Sequence, residues 1–165
     1  MTTATASTAQ AASATSSPSA QASAAATQPP CDVLIVGAGP AGLCLARALS
    51  GHGLKITVVE QQCLDDIANP KFDGREIALT QHSAKLMKEL DLWDRIEPHA
   101  RAQLRDARII DGESPFAMVI GHQLAKHTEL GWLISNHLIR RAAFDAVQAS
   151  VTQHADITLM TGEKL

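Results

Sequence analysis

The stretch Asp32–Glu60, DVLIVGAGPAGLCLARALSGHGLKITVVE, constrains this chain more than any other feature. Asp32-Val33-Leu34-Ile35-Val36 is an apolar run rich in β-branched residues, which predicts a buried strand. Gly37-Ala38-Gly39-Pro40-Ala41-Gly42 follows at once and fits the pattern G-x-G-x-x-G. Leu43, Leu45, Ala46, Ala48 and Leu49 continue at helical spacing, and Gly51 and Gly53 supply a stop. Lys55-Ile56-Thr57-Val58-Val59-Glu60 is a second strand-like run that ends in an acid. Strand, glycine-rich turn, helix and strand in this order predict a βαβ unit, and with it an α/β, Rossmann-like fold.

The chemistry of such a unit is mostly backbone chemistry. Gly37 permits the tight turn off the first strand, Gly39 lets the main chain approach a pyrophosphate, and Gly42 lets the helix lie close on the sheet. The helix starts at the pyrophosphate, so its free N–H groups and positive dipole end face negative charge. Glu60, 18 residues after Gly42, stands where a carboxylate accepts from ribose hydroxyls and disfavours a 2′-phosphate, which argues against NADP at this site. A merely structural glycine turn is the alternative, but strand, motif, helix, strand and terminal acid in register favour an adenine dinucleotide. The motif alone does not separate FAD from NAD.

Length allows one ordinary domain in 165 residues. The first 30 residues differ in kind: 26 of them are Ala, Ser, Thr or Gln, none is charged, and Pro18, Pro29 and Pro30 interrupt any helix. This segment has too little apolar surface to offset the entropy of ordering, and reads as a disordered tail before a domain over 31–165. It has neither the basic residues and apolar core of a signal peptide nor the arginines of a mitochondrial presequence; a translation start nearer Cys31 is the alternative. The net charge of −3 gives no basic footprint for nucleic acid, and no apolar run approaches a bilayer-spanning length. Cys31, Cys44 and Cys63 form no C-x-x-C and no even set, which suggests reduced thiols in a cytoplasmic protein, with Cys44 a small core residue. His122 and His127 lack metal-ligand spacing, and no metal is expected.

Beyond Glu60, the polar segment Gln61–Phe72, broken by Asn69-Pro70, reads as a connecting loop. Asp73-Gly74 is a turn signal, and Arg75 follows it just before an expected helix capped by Thr80 or Ser83. Leu86, Met87 and Leu90 make the buried stripe of that helix, and Leu92, Trp93 and Ile96 extend it through a short turn. Arg75 has two readings: a solvated surface arginine, or a guanidinium reaching a phosphate or ribityl oxygen. Leu104–Asp111 and Pro115–Ile120 read as a hairpin, which departs from βαβ and suggests a second, antiparallel layer. Gly121–Glu129 reads as a loop and Leu130–Ile134 as a short extended segment. Ser135 or Asn136 then caps a helix that buries Leu138, Ile139, Ala142, Ala143, Ala146 and Val147 and turns Arg140, Arg141 and Asp145 outward. Ile157–Met160 reads as a further strand, and an ending so soon after it suggests a cut rather than a natural terminus.

With these residues in view, DVLIVGAGPAGLCLARALSGHGLKITVVE, FDGREIALTQHSAKLMKELDLWDRI and LGWLISNHLIRRAAFDAV together resemble the amino-terminal part of flavin-dependent aromatic hydroxylases. Within that superfamily, related to para-hydroxybenzoate hydroxylase, the chain is most similar to the ubiquinone-biosynthesis hydroxylases. DGREIALT and LISNHLIRRAAF are closest to the branch acting on demethoxyubiquinol. The resemblance implies that Gly37, Gly39 and Gly42, with Pro40 and Ala41 between them, hold the FAD pyrophosphate, and that Glu60 holds the adenosine ribose. It implies that Arg75 contacts the flavin side and that the Asn136 amide contacts FAD, while Ser135 stands where relatives often carry glutamate.

In such enzymes NADH or NADPH reduces the flavin, and O₂ supplies the atom placed on an electron-rich phenol ring; no catalytic acid or base is nominated in this segment. A polyprenyl phenol substrate implies access to a membrane, either by contact at the periphery of the inner membrane or through a biosynthetic complex. The family's second FAD fingerprint, Gly-Asp followed by Ala-Ala-His, is not in this sequence, which has no Gly-Asp pair. The expectation is therefore the FAD-binding front piece of a hydroxylase, with an uncovered sheet edge and little activity alone. The rivals are a prenyl reductase or halogenase of the same fold, and a non-catalytic dinucleotide-binding module.

Overall fold

The computed structural model describes residues 30–113, 115–125 and 128–162. The expected disordered tail over residues 1–30 lies, except for Pro30, outside the described residues. β1 (Val33–Val36) leads through the glycine turn into α1 (Pro40–Leu49), and the chain returns as β2 (Ile56–Glu60) parallel to β1, with Val33 opposite Ile56 and Val36 opposite Val59. The βαβ unit forms as expected. Its helix begins at Pro40, within the motif, where a missing N–H costs no intrahelical hydrogen bond and the fixed φ suits a first turn. Leu43 and Ala46 make its buried stripe.

The segment after β2, expected to be loop, contains α2 (Leu64–Ala68). Asp65 and Asp66 favour its first turn electrostatically, and Ile67, 2% exposed, anchors it in the core. The segment after Arg75 is also not helical at first. Residues 76–80 form β3 (Glu76–Thr80), and only then does α3 (Gln81–Glu89) begin, with the Thr80 hydroxyl accepting from the Ser83 N–H at 3.1 Å. Ala84 and Met87 face inward from α3, whereas Leu86, expected in the stripe, is 43% exposed. Leu92, Trp93 and Ile96 are buried as expected.

β4 (Ala102–Leu104), β5 (Asp106–Ile110) and β6 (Ala117–Gly121) follow. β5 and β6 form the expected hairpin, from Asp106 opposite Gly121 to Ile110 opposite Ala117. The extended segment becomes β7 (Gly131–Ser135), the centre of an antiparallel sheet in the order β3-β7-β4. Gly131 is required there: a Cβ would lie 2.0 Å from the Leu79 carbonyl oxygen. α4 (Asn136–His154) follows directly, ends at Ala155 in the left-handed region (φ 54), and delivers β8 (Ile157–Thr161) beside β2 in a parallel sheet of order β1-β2-β8.

The core lies where α1 and α4 pack on each other through Ala46, Ala142, Ala143 and Ala146, whose small side chains permit close approach. Phe144, not foreseen from the sequence, is buried beside them. At the far ends of both helices the Ser50 hydroxyl meets that of Ser150 and donates to Asp156 Oδ1 at 2.8 Å, while the Gly51 N–H donates to Asp156 Oδ2 at 2.6 Å. This latch ties α1, α4 and the start of β8 together. One expectation for the parallel sheet fails: β1 is not buried on both faces. It lies at the sheet edge, with Leu34 53% and Val36 68% exposed. Among the described residues no helix is long and apolar enough to cross a membrane.

Candidate cofactor site

The three glycines of the turn differ in what requires them. Gly37 adopts φ +99, a conformation that side chains rarely take, while its N–H donates to the Val59 carbonyl at 2.8 Å. Gly42 is required sterically, since a Cβ there would lie 2.0 Å from the Gly37 carbonyl oxygen. Gly39 is required by neither effect. Its φ is −73, and a Cβ built on it meets nothing within 4 Å.

Space is therefore open directly in front of α1, and the protein's own packing gives no reason for a glycine at its first boundary. Gly39 is also the residue that would cap α1, and it offers no side-chain acceptor. The first turn carries no acidic residue, in contrast to the Thr80 hydroxyl that caps α3. The first N–H groups of α1 thus have no partner within the helix and none from a cap, an arrangement suited to an anion. Pro40 and Ala41 form the opening turn beneath that space.

Glu60, at the tip of β2, accepts from the Ala38 N–H through Oε2 at 2.7 Å and from the Gln62 N–H through Oε1 at 2.9 Å. Burial alone would push its carboxyl up. The N–H groups of Gln62, Ala38 and Gln61 and the charge of Arg140 outweigh that and hold it below the ordinary value, so it is ionised. A carboxylate has about four acceptor positions, so lone pairs remain for a sugar hydroxyl. The acid has a second task that the sequence reading missed, which is to brace the glycine turn through Ala38.

Arg75 and Asn136 are brought together, although 61 positions separate them in the chain. The Asn136 N–H donates to the Arg75 carbonyl at 2.9 Å, because β3 and β7 are paired and Glu76 lies opposite Ser135. Between their side chains sits Asp73, which sequence reasoning treated only as a turn residue. Arg75 Nη2 and Nε reach Asp73 Oδ2 at 2.6 and 2.9 Å, Asn136 Nδ2 reaches the same oxygen at 2.8 Å, and the Arg75 N–H reaches Oδ1 at 3.1 Å. The Arg75 guanidinium first, and then the Asn136 amide, hold the Asp73 carboxyl well below the usual carboxylate range. The available signal was the Asp-Gly-Arg sequence itself, since an aspartate at a turn commonly bonds the N–H two residues on.

Ser135 occupies the cap position of α4, but its hydroxyl does not cap; it donates across the strand pair to Glu76 Oε1. One turn into α4, Arg140 Nη2 donates to Gln62 Oε1 at 3.0 Å. The first two turns of α4 therefore touch both the tip of β2 and the Asp73–Arg75 turn. The Phe72 and His137 rings meet edge to face beside that turn at 5.3 Å. A cavity of about 360 Å³ lined by Gln81, His82, Ala84, Lys85, Lys88 and Trp132 includes none of these residues.

Residues 30–161 match the family described as an FAD binding domain. Over 120 residues the chain is 46% identical to the ubiquinone hydroxylase UbiM of Neisseria meningitidis, covering 70% of this chain and 26% of that protein. It is 28% identical over 134 residues to the 3-demethoxyubiquinol 3-hydroxylase of Escherichia coli, covering 81% of this chain and 33% of that protein. Among solved structures, a mutant of PqsL from P. aeruginosa superposes with a TM-score of 0.61 at 18% identity, over 80% of this chain and 33% of that one. That likeness speaks to the fold. The chain spans about a quarter to a third of the length of these curated relatives.

Proposed function

Since the chain belongs to the FAD binding domain family, we propose that it supplies the FAD-holding portion of an aromatic hydroxylase acting on a polyprenylated phenol in ubiquinone biosynthesis. The observation that carries this reading is the pairing of an uncapped α1 with a Gly39 whose missing side chain opens space that no part of the protein uses. The 46% identity to a ubiquinone hydroxylase supports the choice of substrate class.

The residues fit FAD. The free N–H groups of Gly39, Ala41 and Gly42 face the pyrophosphate, with Gly37 making the turn and Pro40 and Ala41 setting the first turn of the helix; Glu60 accepts from the adenosine ribose; Arg75 and Asn136 serve the flavin side. When bound, FAD supplies the redox chemistry, with NADH or NADPH as electron donor and O₂ as oxygen source. The protein's part is to bind, orient and exclude water. A polyprenyl substrate brings such an enzyme to a membrane surface or to a complex that shields the tail.

The test follows from the glycine geometry. Gly39→Val places a side chain in open space at an ordinary φ, so its thermal unfolding midpoint should stay close to that of the native chain while FAD binding, read by quenching of flavin fluorescence, is lost. Unchanged FAD binding in that variant would overturn the assignment.

A further inference from the structure

We propose that Asp73 is a positioning residue for the flavin-facing part of this site: its carboxylate fixes Arg75 and Asn136 as one preset, nearly neutral set of donors for uncharged oxygens. This rests on the reading above, that Arg75 and Asn136 face FAD, and goes on to say what sets them and which atoms they can take.

The argument begins with the number of donors on one atom. Asp73 Oδ2 receives Arg75 Nη2, Arg75 Nε and Asn136 Nδ2, all within 2.9 Å, and Asn136 arrives from 63 positions away. An arginine on an exposed turn samples many rotamers that binding must freeze; here the side chain is 66% exposed yet already held in a two-point fork. Two of the five guanidinium N–H groups are used by Asp73 and three are left for a ligand. The Asn136 amide keeps its second N–H and its carbonyl oxygen outside the bond to Asp73.

Charge decides the kind of atom these donors suit. With the Asp73 carboxylate 2.6 Å from Arg75 Nη2, the positive charge is offset where it stands. A phosphate would gain little net attraction from such a pair and would be repelled by Asp73. A neutral hydroxyl or carbonyl oxygen needs only directed N–H groups, which the fork provides. The pair therefore suits the sugar-alcohol and ring oxygens of a flavin, and leaves the phosphates to α1.

Two measurements on the 165-residue chain test this. In the FAD-free native protein, the Arg75 Nε–H signal should exchange with water more slowly than that of exposed Arg108, which has no such fork. Equal exchange would overturn the proposal, and this measurement needs no variant to fold. FAD affinity should fall about tenfold in Asp73→Asn, the loss expected for one charge-assisted hydrogen bond. The loss in the double variant Asp73→Asn/Arg75→Ala should fall short of the sum of the two single losses, the part beyond Arg75→Ala reporting Asn136, and the Arg75→Ala loss should be insensitive to salt in the native background.

A purely structural role for Asp73 would instead lower the melting temperature and give additive losses, which would overturn positioning while leaving the FAD reading intact. A strongly salt-dependent Arg75→Ala loss would overturn the neutral-oxygen assignment. Failure of the native chain to bind FAD would overturn the cofactor reading, and the positioning role with it.

Discussion

A Cβ at Gly42 would lie 2.0 Å from a carbonyl oxygen of the turn that α1 rests on, so Gly42→Ala must push α1 off the sheet. The expected cost is about 1–3 kcal/mol, the usual range for overpacking, read as a lower midpoint in chemical denaturation even without FAD. Gly39→Val, by contrast, should lose ligand and keep stability; two glycines of one motif thus separate folding from binding. Spacing alone made Gly42 legible, because the close approach of helix to turn selects a residue without a side chain. Asp73 was not legible in its full role, since its partner Asn136 lies 63 positions away and local sequence encodes no such pairing. Glu60 was half legible: its place at a strand tip could be read, its hydrogen bond back to Ala38 could not.

At the scale of elements, the errors have two causes. Glu76-Ile77-Ala78-Leu79-Thr80 carries residues that suit a helix, yet pairing with β7 makes it a strand, a tertiary demand that outweighs weak local preference. α2 was missed because a single buried residue, Ile67, holds it, too little for a periodic signal. α4 was legible because eight of its residues are buried on a repeating face.

The latch at the far ends of α1 and α4 makes stability depend on pH. Burial raises the Asp156 pKa, but the Gly51 N–H, the Ser50 hydroxyl, its own backbone N–H and the His154 charge outweigh it, so the net shift is downward. A depressed carboxylate pKa adds stability that is present above the unfolded value of about 3.9 and is lost as pH falls through the lower folded value. Asp156→Asn should therefore lower the melting temperature near neutral pH and remove part of the loss on acidification; parallel acid-melting curves for variant and native chain would refute the latch.

At the scale of the whole molecule, apolar strand surfaces among the described residues face solvent. β1 exposes Leu34 and Val36 at the sheet edge, and the β5–β6 hairpin exposes Ile109, Ile110, Met118, Val119 and Ile120. Open edges and apolar strands of this kind favour pairing with other chains. Light scattering of the purified chain should rise with concentration, and Met118→Lys, 61% exposed in the native chain, should reduce that rise without changing the melting temperature. The sequence announced the hairpin by its Asp-Gly turn between two strand-like runs, but not that so much of it would stay uncovered.

The bond from Asp73 to Asn136 also sets a timetable. The glycine turn and Glu60 are close in the chain, so a nascent polypeptide carries the residues proposed for the adenosine end soon after Glu60 leaves the ribosome. The residues proposed for the flavin end wait for synthesis through β7 and the opening of α4, because Asp73 gains its second partner, Asn136, only then. The proposed site is thus completed from one end of the dinucleotide to the other, in the order in which its residues leave the ribosome.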